Sequence, residues 1–94
     1  MQAGNSVPTG MSSFAYDLRR TSGYLVADVR GRIVGRVESP MYGTKPDEPD
    51  AVSVRSGWLS RRRRVVPVDT IQQIDRGSGI IGLRVERELL KSFL

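Results

Sequence analysis

The chain contains no cysteine and no histidine. Without cysteine there is no disulfide framework and no thiol nucleophile. Without either residue there is no Cys/His zinc site and no imidazole base. Aromatic residues are only 6% of the chain, and no strand carries the paired aromatics of an RNA-recognition sheet. No window approaches the ~18 apolar residues of a membrane span. Met1 to Ser12 has neither the charge nor the apolar run of a secretory signal. These absences point to a cytoplasmic chain. Lysine is nearly missing too: of 15 cations, only Lys45 and Lys91 are lysine.

What is present is 94 residues, 38% hydrophobic and 27% charged, which is room for one small soluble domain. The formal net charge is +5. Between Gly23 and Leu94, 13 basic residues face 9 acidic ones, an excess that the run Arg61-Arg62-Arg63-Arg64 accounts for by itself. The sequence therefore predicts one basic patch on a balanced domain.

Residues 1–13 are Gly, Ser, Asn, Pro and Thr without a period and read as a flexible tail. Residues 14–22 form a lead-in that fits a short strand or a helical turn, and residues 23–94 form the domain. From Gly23 the pattern is β. Tyr24 to Val29 is an apolar run, and Arg32 to Glu38 alternates, with Ile33, Gly35 and Val37 on one face and Val34 as the exception. Arg30-Gly31 between them suits a tight turn. Ser39 to Pro49, with its prolines and acidic residues, reads as a surface loop. Ala51 to Ser56 alternates with Val52 and Val54 inward. Val65-Val66 is a strand stopped by Pro67, which cannot donate to a ladder. Ile71 to Asp75 and Ile80 to Val85 are strands joined by the turn Arg76-Gly77-Ser78-Gly79. At the end the period changes: Val85, Leu89 and Phe93 follow i, i+4, i+8, which predicts a short C-terminal helix. The expected fold is mainly β, a small barrel of short antiparallel strands with a short C-terminal helix.

The hairpin Val26-Ala27-Asp28-Val29-Arg30-Gly31-Arg32-Ile33-Val34-Gly35-Arg36-Val37 resembles the opening of a PRC-barrel domain. Val65-Val66-Pro67-Val68-Asp69-Thr70-Ile71-Gln72-Gln73-Ile74-Asp75 resembles its later valine-proline stretch. Ile81-Gly82-Leu83-Arg84-Val85 with Glu86 to Leu90 resembles its close. The family is named for the cytoplasmic domain of the photosynthetic reaction-centre H subunit and includes the C-terminal domain of a ribosome maturation factor. The resemblance implies a barrel that supports macromolecular contacts, with no family-wide catalytic residues. This chain shows neither the membrane helix of the first relative nor the companion domain of the second, so neither specific role transfers.

Other motifs carry less. Gly77-Ser78-Gly79-Ile80-Ile81-Gly82 spells GxGxxG, but the glycines precede a strand where a dinucleotide site needs a helix. It reads as a hairpin turn. Asp47, Glu48 and Asp50 are interrupted by prolines and lack a calcium-loop spacing. Asp28 and Asp69 fit hydrogen bonds to turn or helix-start amides better than acid–base chemistry. No catalytic, cofactor-binding or metal-binding residue is expected.

Arg61, Arg62, Arg63 and Arg64 are the candidate partner-binding residues, on a loop or hairpin tip, because burying unpaired guanidinium is costly. They suit a carboxylate-rich protein surface, a nucleic acid, or a charged edge that deters aggregation. Trp58 lies three residues before the run, as a base-stacking ring or as a cap on the core. Leu90 and Leu94 fall on the flank of the predicted helix. They are candidates for self-association in a homodimer, unless the Phe14/Tyr16 segment of the same chain covers them. The leading functional expectation is a non-catalytic interaction or scaffold module for a protein partner. The alternative is an RNA- or ribosome-associated accessory protein using Arg61 to Arg64.

Overall fold

The computed structural model describes residues 18–57 and 62–93. The predicted tail and residues 14–17 of the lead-in, with Phe14 and Tyr16, lie outside them. The described residues form seven strands: β1 Leu25–Ala27, β2 Ile33–Met41, β3 Ala51–Arg55, β4 Arg63–Pro67, β5 Ile71–Asp75, β6 Ile80–Leu83 and β7 Ser92–Phe93. They build one sheet in the order β5-β6-β1-β2-β3-β4-β7. Most neighbours are antiparallel as expected, but β1 and β6 run parallel, with Val26 beside Ile81. The long chain path from β1 to β6 permits this arrangement, since parallel neighbours need a long crossover.

Connectivity forces the sheet to curl. Only the 3-10 turn Val68–Thr70 joins β4 to β5, so Pro67 and Ile71 lie within about 14 Å of each other. In a flat sheet these strands would be about 24 Å apart, five spacings of ~4.8 Å. The curl wraps one face around a core of Val26, Val34, Val37, Val52, Val54, Val66, Ile71, Ile81, Leu83 and Leu90. The sheet is not closed: no ladder joins β4 to β5 among the described residues, so the expected barrel is an open, coiled sheet.

Two departures from simple alternation have local causes. A bulge sets Val26 opposite Gly35 but Ala27 opposite Ile33, so Val34 is the extra residue of β2. The bulge turns Val34 into the core and leaves Ile33 49% exposed. Val34 thus belongs to the core, and Ile33 does not share the face of Val37. Strand β2 also runs on through Pro40, which the sequence assigns to a loop. The Met41 carbonyl accepts from Asp50 N–H across to β3, so by alternation the Pro40 nitrogen faces away from β3, where β1 has already ended.

Gly35 is held by contact with its neighbour strand. Its φ is +153°, and a Cβ built there would lie 2.7 Å from the Arg55 carbonyl carbon and closer still to its oxygen. Only glycine lets β2 approach β3 this closely.

The predicted C-terminal helix is replaced by a single 3-10 turn, Arg87–Leu89, followed by β7. A helix of under ten residues has little nucleation support, whereas strand pairing satisfies backbone groups of β4. Val65 N–H donates to the Lys91 carbonyl at 2.9 Å, and Arg63 and Arg64 pair with Phe93 and Ser92. The change of element inverts the predicted faces. Leu90 enters the core at 8% exposure while Leu89 is 72% exposed. Leu90 is therefore core and has no free flank to offer a second copy; Leu94 lies outside the described residues. Leu18 is fully buried in the same core, with the Thr21 hydroxyl donating to its carbonyl at 2.9 Å.

Candidate functional site

The outer face of the sheet carries an arrangement that no local stretch of sequence contains. Pairing sets Ile80 beside Leu25, Leu25 opposite Arg36, Arg36 opposite Arg55, Arg55 opposite Arg63, and Arg63 opposite Phe93. The row crosses six strands, and its middle is three consecutive arginines. Their inward neighbours, Val54 and Val37 among them, are buried, so the arginines stand on the solvent side by the two-residue period of a strand. Directly opposed like charges destabilise a sheet.

One carboxylate, Glu38, offsets them. It accepts from Arg63 Nε and lies 3.7 Å from Arg55 NH1. Arg36 turns its NH1 to the Gly23 carbonyl at 3.0 Å. Two guanidinium groups thus share one acidic side chain and the third is held by a backbone carbonyl, which leaves positive charge on this face among the described residues. Beside the row lies an open groove of about 540 Å³, lined by Leu25, Ile33, Gly35, Arg36, Glu38 and Arg55 among others. Its lining is chiefly apolar with charge at the rim, the composition of a ligand cleft.

At another corner of the sheet, acidic and basic groups meet for a structural purpose. Asp28 is buried, its carboxylate closed from solvent. Its Oδ1 accepts Arg30 N–H at 3.0 Å and Arg32 N–H at 2.8 Å. Its Oδ2 accepts Arg32 Nε at 3.1 Å and Arg87 N–H at 3.0 Å. Burial, the largest single influence, works against the charge, but the Arg87 and Arg32 N–H groups, the Arg32 guanidinium and the Arg30 N–H together outweigh it. They pull the carboxyl from 3.8 down to about 2. The turn-amide role expected for Asp28 is thus seen, with an added tie to Arg87. Arg32 also grips Glu88 with both terminal nitrogens, at 2.9 and 2.6 Å, and this contact leads the lowering of the Glu88 pKa. Asp28 and Glu88 are thus joined through Arg32 into one clamp of charged hydrogen bonds.

Asp75, Asp50 and Glu48 also hold local turns or loops. Asp75 Oδ1 accepts Gly77 N–H at 3.0 Å, so the GxGxxG segment is a hairpin turn as expected. Asp50 accepts from Gly43 N–H, and Glu48 pairs with Lys45 at 3.0 Å. For Asp69 the expected amide contact is not the one that closes its turn: the Thr70 hydroxyl donates to the Pro67 carbonyl at 2.7 Å.

The described members of the four-arginine run, Arg62 to Arg64, take different positions. Arg63 and Arg64 belong to β4, flanked by β3 and β7, where the sequence predicts a loop or hairpin tip. Arg63 joins the outer row. Arg64 falls opposite Val54 and donates from NH1 to the Arg87 carbonyl. Arg62 is exposed, with its carbonyl accepting from Ser56 N–H at 3.3 Å. Trp58 and Arg61 lie outside the described residues. Sequence reasoning missed Arg36 and Arg55: each occupies an ordinary polar position of an alternating strand, and only the register joins them.

Comparison with known proteins adds two likenesses. The Bacterial PH domain family model matches residues 42–86, just under half of the chain. No curated protein matches it. Among solved structures, a 16S ribosomal RNA processing protein, RimM, of Pseudomonas aeruginosa is similar with a TM-score of 0.60 and 16% identity. The match covers 89% of this chain and 48% of that one. The chain spans about half the length of that relative, and the likeness is one of fold. No helix among the described residues is long and apolar enough to cross a membrane.

Proposed function

We propose that the chain is a non-catalytic accessory module of PRC-barrel type that associates with ribosomal particles or their precursors. The fold likeness to the ribosomal RNA processing protein, extending over 89% of this chain, is the observation that carries this reading. The excess of guanidinium on the outer face supports it, since a surface that meets ribonucleoprotein must offset phosphate charge. The clamp around Asp28 supports the non-catalytic part, because its donors hold the carboxylate in a fixed structural role.

Co-sedimentation tests the proposal. The full chain, tagged and run through sucrose gradients of cell extract, is expected to travel with ribosomal subunits or precursor particles at low salt and to leave them at high salt. A chain that stays at the top of the gradient at every salt concentration rejects it. The apolar lining of the groove, with Leu25 and Ile33, favours a second reading as a scaffold for a protein partner. That reading expects one defined protein complex to survive nuclease treatment in a pulldown.

A further inference from the structure

We infer that the row Arg36, Arg55 and Arg63 with the adjoining Leu25/Ile33 groove is a docking face for single-stranded RNA. This deepens the ribosome-associated reading and rests on it. Three features of the face meet the chemistry of an unpaired nucleotide. First, the arginines occupy adjacent strands in register, so they span two strand spacings, about 10 Å. Planar guanidinium groups at such intervals suit bidentate contact with backbone phosphates. Second, the groove beside them is lined by both Leu25 and Ile33 and by Arg36 and Arg55. A splayed base can lie against apolar surface and stack on a guanidinium plane there, a mode of single-strand recognition that needs no aromatic ring. A duplex keeps its bases stacked inside and cannot use the groove.

Third, the row breaks a local rule of sheet design. Three like charges in direct opposition oppose folding, and among the described residues Glu38 is the carboxylate paired with two of them, Arg55 and Arg63. Such conflicts are expected where function outweighs packing. Ile33 points the same way: the bulge at Val34 turns an isoleucine outward beside the arginines. The contiguous Arg61 to Arg64 run, which the sequence singles out, is on this view only the source of Arg63.

The test uses the full chain and a labelled single-stranded oligouridylate of about a dozen nucleotides, within the usual range of single-strand site sizes. Binding is followed by fluorescence anisotropy from about 50 to about 200 mM salt. Replacing Arg36→Gln and Arg55→Gln together is expected to lower the salt slope by about 1.4, for two lost phosphate contacts. The parent's affinity would then fall about sevenfold more than the variant's across that range. Replacing Arg61→Gln and Arg62→Gln should change the slope less than the row variant does. Glu38→Gln, which frees Arg55 and Arg63 from their counter-charge, should tighten binding several-fold, a gain that misfolding cannot imitate.

The inference is overturned by a row variant that keeps the parent's slope, or by a folded Glu38→Gln chain that binds no tighter. Binding of polyglutamate but not RNA through the same arginines assigns the face to an acidic protein and overturns it as well. Failure here is separable from failure of the broader reading. A chain that co-sediments with ribosomal particles yet ignores the oligonucleotide rejects the RNA face alone. One that binds the oligonucleotide through the row yet never co-sediments rejects the ribosomal role alone.

Discussion

The carboxylate of Asp28 accepts the backbone N–H of Arg87 at 3.0 Å, across 59 residues of chain. The same side chain takes both amides of the turn that follows it, Arg30 and Arg32. One buried carboxylate thus ties the first hairpin to the C-terminal 3-10 turn.

This contact makes stability acid-sensitive in a defined window. The folded pKa of Asp28 is about 2, below the ordinary 3.8. Its contribution is therefore complete above about pH 4 and is lost as the pH falls through about 2. The Asp28→Asn variant should melt at a lower temperature than the parent at neutral pH. The gap between the two should narrow between pH 4 and pH 2, because acid neutralises the parent's carboxylate while the amide has nothing to lose. Thermal denaturation followed by circular dichroism reads this. A gap that stays constant over that range would show that the carboxylate's charge does not contribute.

The close approach of β2 and β3 predicts a sharp contrast between two glycines. At Gly35 a Cβ would run into the backbone of Arg55, so neither partner can give way cheaply. Gly35→Ala should lose roughly 2–4 kcal/mol from overpacking and positive φ together. Gly31 also has positive φ, +80°, but nothing lies within 4 Å of the point where an added methyl would sit. Gly31→Ala should lose only about 1–2 kcal/mol. Urea denaturation of both variants checks the order, and equal losses would mean that the Arg55 backbone does not limit the size of residue 35.

The C-terminal leucines give a second contrast. Leu90 lies in the core at 8% exposure, whereas Leu89 is 72% exposed. Leu90→Ala should lose about 2–5 kcal/mol through burial and cavity effects, and Leu89→Ala should stay within about 0.5 kcal/mol. If the chain formed an amphipathic helix instead, Leu89 would face inward and the order would reverse.

These contrasts show how far the sequence could be read, and where local pattern stopped. Alternation identified β3 and β6 because each keeps one face on the core, Val52 with Val54 and Ile81 with Leu83, whereas in β5 a register shift between Ile71 and Gln73 brings Ile74 to the core side. It failed at Val34, where a bulge inserts one residue and shifts parity, an event set by pairing with β1. The i, i+4 spacing of Val85, Leu89 and Phe93 matched a helix, but Leu90 packs into the core and the Lys91 carbonyl is bonded to β4, so tertiary pairing overrode the period. The candidate site was hidden for the same reason. Arg36, Arg55 and Arg63 are 27 positions apart end to end in the chain, and the strand register that sets them side by side has no local signature. The conspicuous run drew attention to charge that the fold divides between two faces.

That division yields the last prediction. Arg63 and Arg64 are strand residues, with Arg63 bonded to Glu38 and Arg64 to the Arg87 carbonyl. Replacing both with Ser should lose about 1–3 kcal/mol, through charged hydrogen bonds and the Glu38 acceptor left behind. Arg62 is exposed at the end of the hairpin, where surface contacts contribute at most about 1 kcal/mol, so Arg62→Ser should leave the melting temperature near that of the parent. A four-residue Arg61 to Arg64 replacement would therefore mix two effects, and any binding it abolished could not be assigned to the surface. Separate Arg62→Ser and Arg63→Ser/Arg64→Ser chains, melted side by side, resolve them. Equal stability in both would return Arg63 and Arg64 to the loop that the sequence alone predicts.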